Sequence, residues 1–162
     1  MAQLVRLNEI CERRNELNKA ASSLDESLAT PLGDLQRWSS NVKESLEAMI
    51  KKIAVDAEEL ESDEGLLNSI QDSFPYLSRR VLQHKVDHER LRRSVSALYE
   101  SLVENSGIEL ISDALLIRTQ VVKFLGQLSL YNQRDADLIY DAYKVDITEF
   151  KAFSPSREVA KL

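Results

Sequence analysis

The chain has 162 residues, enough for one domain around one core, and 43% hydrophobic against 30% charged residues is an ordinary globular balance. A net charge of −6 has the wrong sign for a sequence-independent nucleic-acid binder, which needs a basic surface to displace counterions. The lone Cys11 excludes a disulfide framework and any Cys-type zinc or redox motif. The start, MAQLVRLNEICERR, has no apolar run long enough for a signal peptide or a membrane span, so the expected compartment is the cytoplasm.

With only 4 Gly and 3 Pro, few turns are signalled and long helices are expected. No β-branched run alternates over five or more residues, and no Asn-Gly or Asp-Gly hairpin occurs. Four helical segments can be read. The first carries Leu7, Ile10, Arg14, Leu17, Ala21, Leu24 and Leu28 at alternating spacings of three and four, a single apolar stripe in which Arg14 is the odd member. Thr30-Pro31-Leu32-Gly33 breaks the chain, and Asp34 is a good N-cap for the second segment. That stripe runs Leu35, Trp38, Val42, Leu46, Met49, Ile53, Ala57 and Leu60.

A weaker break lies around Ser62-Asp63-Glu64-Gly65. The third stripe is the most regular: Phe74, Leu77, Val81, His84, His88, Leu91, Val95, Leu98 and Leu102. Pro75 is expected to kink this segment or to split off its first turns. Its basic residues Arg79, Arg80, Arg90, Arg92 and Arg93 are interleaved with Asp87 and Glu89, the pattern of a solvated helix face. After Asn105-Ser106-Gly107 the fourth segment is more broadly apolar, through Leu110, Ala114, Ile117, Val121, Leu125, Leu128, Ile139 and Tyr143, with Asn132 on the same face. This breadth, with Tyr131, Tyr140 and Tyr143, reads first as bundle core and second as a homodimer surface. Four amphipathic helices with short links pack best as an all-α, up-down-up-down four-helix bundle. It is expected to span residues 1–153, followed by a flexible C-terminal tail, 154–162.

His84 and His88, the only two histidines, are spaced i, i+4. On a helix both imidazoles face one way and can reach one cation. Taken alone, the bland alternative is a pair of core rings hydrogen-bonded to their neighbours. Polar groups at or near inward positions on the other segments, Arg14, Glu61, Asn132 and Asp137, strengthen the site reading. Side chains converging from several helices are how bundles build metal sites. No Gly-rich phosphate loop, nucleophile motif or Glu-x-x-His pair is present, so no enzyme is expected.

Three stretches carry a family resemblance. Pro75-Tyr-Leu with Asp87-His88-Glu-Arg-Leu91 resembles the P-x-L … E-H-x-x-L helix of bacterial hemerythrin-like (HHE) domains. Tyr131-Asn-Gln-Arg-Asp-Ala-Asp-Leu-Ile-Tyr-Asp-Ala-Tyr-Lys-Val-Asp-Ile147 resembles that family's last helix, and Ala57-Glu-Glu-Leu-Glu61-Ser-Asp-Glu-Gly65 the end of its second. The family holds two irons with five histidines and two bridging carboxylates. The resemblance implies His84, His88, Glu61 and Asp137 as retained metal ligands, with Arg14, Ala57 and Asn132 at substituted positions. The surviving donors imply no diiron centre and no oxygen carriage: either no metal or a single iron or zinc ion. In this reading the Arg14 guanidinium takes the second metal's place and pairs with Glu61 and Asp137. The implied function is a non-catalytic structural or regulatory module. The alternatives are a mononuclear metal-binding sensor or storage protein, and an unrelated helical adaptor.

Overall fold

The computed structural model describes residues 2–104 and 111–147, with side chains described from Leu7 onward. The last-segment break at 105–107, Leu110 and the proposed tail 154–162 lie outside the described residues. Every element among those described is helical: α1 (Ala2–Leu28), α2 (Leu35–Glu61), α3 (Leu66–Ser73), a 3-10 turn Pro75–Leu77, α4 (Ser78–Glu104) and α5 (Ile111–Tyr143). Four long helices form the body. α1 packs on α2, α2 on α4, α4 on α5, and α5 returns to α1. The short α3 closes one end against α2 and α4.

Local chemistry sets the breaks. Asp34 Oδ1 accepts from the Arg37 amide at 3.1 Å, which satisfies one free donor of the first turn of α2. Pro75 cannot donate an amide, so the third predicted segment is divided. α3 ends at Ser73, the chain turns through Pro75–Leu77, and α4 begins at Ser78. At the α2–α3 corner a Cβ on Gly65 would collide with the Glu59 carbonyl oxygen and come within 2.9 Å of that of Ser62. Only glycine therefore fits this close approach. Glu59 secures the corner: Oε1 accepts from the Leu66 amide at 3.0 Å, and Oε2 pairs with Arg13 of α1 at 3.0 Å. The carboxylate lies at the N-terminus of α3, where the helix dipole favours it.

The core consists of two apolar clusters. One contains Leu17, Leu24, Trp38, Leu46, Met49, Ile53, Leu91, Val95, Phe124 and Leu128. The other, beside α3, contains Leu7, Cys11, Leu67, Ile70, Val81, Leu138 and Ile139. His84 and His88 belong to neither, although both are buried. Along α4 they lie between Val81 of one cluster and Leu91 of the other. Polar groups separate the two halves of the core.

Candidate functional site: a buried polar layer

The layer follows from carrying the three-and-four spacing through each helix. On α2 the buried stripe Met49, Ile53 continues to Asp56. On α5 the stripe Ala114, Ile117, Val121, Phe124, Leu128, Tyr131 continues through Asp135 to Leu138 and Ala142. These positions meet α4 at the two imidazoles. His84 Nε2 lies 2.9 Å from Asp135 Oδ1, and His88 Nε2 lies 3.4 Å from Asp56 Oδ2. The Tyr131 ring joins the two pairs. It stacks on His84 at 4.1 Å between centroids with 9° between planes, and meets His88 at 5.8 Å and 56°.

Both imidazole Nε2 atoms are buried, yet neither makes a hydrogen bond. The carboxylate oxygens lie close to them but off the line an N–H would take. The Asp135 and Asp56 side chains keep 22% and 27% of their surface exposed, so they stay partly hydrated while the rings do not. Burial, with the Asp56, Asp135 and Asp87 carboxylates nearby, holds the Tyr131 phenol well above the ordinary tyrosine range; it remains a neutral donor. On α1, Cys11 and Arg14 reach the same depth. The Cys11 thiol is pushed up to about 11, first by burial, with Arg14 lowering it and Asp135 raising it. Arg14 Nη1 is buried without a hydrogen-bond partner.

The layer opens outward between α4 and α5. A groove of about 460 Å³, lined by Arg80, Gln83, Asp87, Arg90 and Arg134 among others, reaches His84. Asp87 guards it, accepting from Arg134 at 3.1 Å and from Gln83 at 3.0 Å.

Of the residues singled out from sequence, the structure brings His84 and His88 together with carboxylates, but the carboxylates are different ones. Glu61 is exposed at the last turn of α2. It lies five residues beyond Asp56, about 140° around the helix. Asp137 is exposed and accepts from Gln133 at 3.0 Å. It borders the groove that reaches His84, while the ion-pair distances to the imidazoles belong to Asp135 and Asp56. Ala57 yields its inward place to Asp56, and Asn132, half-buried, yields to Tyr131 and donates to Asn18 at 3.2 Å. Among the described residues Arg14 makes no ion pair with Glu61 or Asp137; the α1 arginine that pairs with a carboxylate of α2 is Arg13, with Glu59. Asp56, Tyr131 and Asp135 were missed as site residues: spacing from Ile53 allows either 56 or 57, spacing from Leu128 either 131 or 132, and packing makes the choice.

The whole chain offers two imidazoles, and a guanidinium occupies the layer on α1. Among the described residues no three His, Cys, Asp or Glu side chains converge as a metal site would require. No protein family, curated protein or solved structure matches the chain. Among the described residues no helix is long and apolar enough to cross a membrane.

Proposed function

We propose that this chain is a non-catalytic structural or regulatory module on the hemerythrin-like plan, an up-down-up-down bundle in which a polar layer takes the place of the diiron centre. The observation that carries it is the content of that layer: two imidazoles, each beside its own aspartate, joined by a neutral tyrosine and bordered by Arg14. Such a layer fixes which helix faces meet. A hydrophobic core alone specifies this less sharply, because a helix rotated by one stripe position would bury an imidazole against leucine. The module then works through its surface rather than through a reaction.

A second reading, a mononuclear iron or zinc site, is favoured by the two buried Nε2 atoms without hydrogen bonds. His88 with Asp56, and His84 with Asp135, are the two-donor pairs that would hold such an ion. The ion would supply positive charge to the layer.

Elemental analysis with an absorption spectrum, on protein purified without chelators, tests both. The first reading expects substoichiometric iron and zinc. The second expects one equivalent, lost in His88→Leu. Two equivalents of iron with the near-ultraviolet bands of an oxygen-bridged pair would overturn both.

A further inference from the structure

The seam between α1 and α5 is unlike the other three around the bundle. Among the described residues these two helices pack more sparsely than α1 with α2, α2 with α4 or α4 with α5. They run antiparallel. The Cys11 thiol lies 3.9 Å from the Ile147 carbonyl oxygen, and about two turns further along α1 Asn18 meets Asn132. A pocket of about 410 Å³ opens between them, on the other flank of α5 from the groove that reaches His84.

Ala21, Leu125 and Leu128 supply apolar surface to this pocket, and every other residue lining it has a polar side chain. Only two of those are charged, Arg14 and Asp25. They are eleven residues apart, about three turns, so they share one face of α1 and stand about 17 Å apart along it. Asn18 is one turn from Arg14. Asn132 Nδ2 donates to Asn18 Oδ1 at 3.2 Å, which leaves the Asn18 amide nitrogen and the Asn132 amide oxygen for another partner.

Arg14 is the unusual member of this lining. Its Nη1 is buried yet hydrogen-bonds to nothing, and none of the ion pairs among the described residues includes it. The adjacent Arg13, by contrast, holds Glu59 at 3.0 Å. A guanidinium does not give up its charge, and a half-buried charge without a counter-ion is costly. An anion in the pocket would offset that cost.

The geometry points to this pocket as a binding site for a small hydroxylated monocarboxylate, with Arg14 holding the carboxylate and Asn18, Asn132 and Gln133 holding the hydroxyls. The charge follows from the lining. One cation matches one negative charge, and the guanidinium fork grips a planar carboxylate with two parallel bonds. A phosphate or sulfate dianion would bring a second charge that no other cation of the pocket balances, and Asp25 would repel it. An acid with a purely apolar body would leave the amides unsatisfied. The volume is within the range of small-molecule sites. A single charge pair in a pocket open to water gives a dissociation constant on the order of millimolar. The site stands whether or not an ion enters the polar layer.

Gluconate is the probe. The isotope-labelled full chain, titrated with sodium gluconate at constant ionic strength and followed by NMR, should shift its Arg14 Nε–Hε and Asn132 side-chain amide signals along one saturable curve. Glucose, which has the hydroxyls without the carboxylate, and inorganic sulfate should each bind at least tenfold more weakly. Arg14→Met should weaken gluconate binding at least tenfold. Arg79→Met, at an exposed site on α4 away from the pocket, should leave it unchanged. Should Arg14→Met fail to fold, Asn18→Asp supplies the second measurement. Asn18 is exposed and one turn from Arg14, so a carboxylate there pairs with the guanidinium and should weaken gluconate binding to the same extent. Shifts that never saturate, equal affinity for glucose or sulfate, or gluconate binding indifferent to these two variants would overturn the inference.

Discussion

Replacing both imidazoles, His84→Leu with His88→Leu, in chelator-treated buffer should raise the stability of the bundle rather than lower it. Each Nε2 is buried without a hydrogen bond, and an unsatisfied buried polar atom costs about 1–3 kcal/mol. Leucine has a similar volume, so the core neither collapses nor overpacks. The aspartates left behind retain 22% and 27% side-chain exposure and can complete their hydration. Against this stands the lost stacking of His84 on Tyr131, worth about 0.5–1.5 kcal/mol. Two such atoms total about 2–6 kcal/mol, so the balance is a gain of about 1–5 kcal/mol. At roughly 2–4 °C per kcal/mol for a chain of this length, Tm rises by about 2–20 °C. Urea unfolding followed by circular dichroism, with an unchanged m-value, gives the free energy directly. A loss of more than about 2 kcal/mol would refute the reasoning, because it would mean that the imidazoles are satisfied in the folded state, by a cation or by ordered water. Adding zinc or iron(II) separates these: a cation site would raise the wild-type Tm and leave the double variant unmoved.

The Tyr131 phenol, held above its ordinary value by burial and neighbouring carboxylates, makes folding weaken with alkali. Above pH about 10 the unfolded chain releases a proton that the folded chain keeps, so stability falls as pH rises; Tyr131→Phe should flatten that fall in thermal melts, and an unchanged profile would remove Tyr131 as its cause. Cys11, with its thiol pushed up to about 11 and buried, should label with iodoacetamide far more slowly in the native protein than in urea; equal rates would show that α1 opens readily. Gly65→Ala should cost about 2 kcal/mol or more, because the corner must move to admit the methyl group; Gly126→Ala, with open space around it, should stabilise the monomer by up to about 1 kcal/mol, and a urea titration of each, with the opposite ordering, would contradict the geometry of the α2–α3 corner.

Much of the architecture was legible in the order of residues. Periodicity alone assigned the four long helices, because a stripe at three-and-four spacing can bury itself only as a helix. Asp34 and Pro75 marked boundaries because capping and the missing amide are local chemistry, independent of the rest of the chain. The same periodicity set both histidines inward. Tertiary structure decided which acids face them. Glu61 and Asp137 stand near family-like motifs, but a carboxylate's direction depends on its angle around the helix, and two or five residues turn it away from the core. Asp56 and Asp135 hold the inward angle. The pairing of each imidazole with its own aspartate and the tyrosine ring stacked on His84 both depend on which helices are neighbours. Sequence constrains a helix's faces one at a time; contact between faces is a property of the packed bundle.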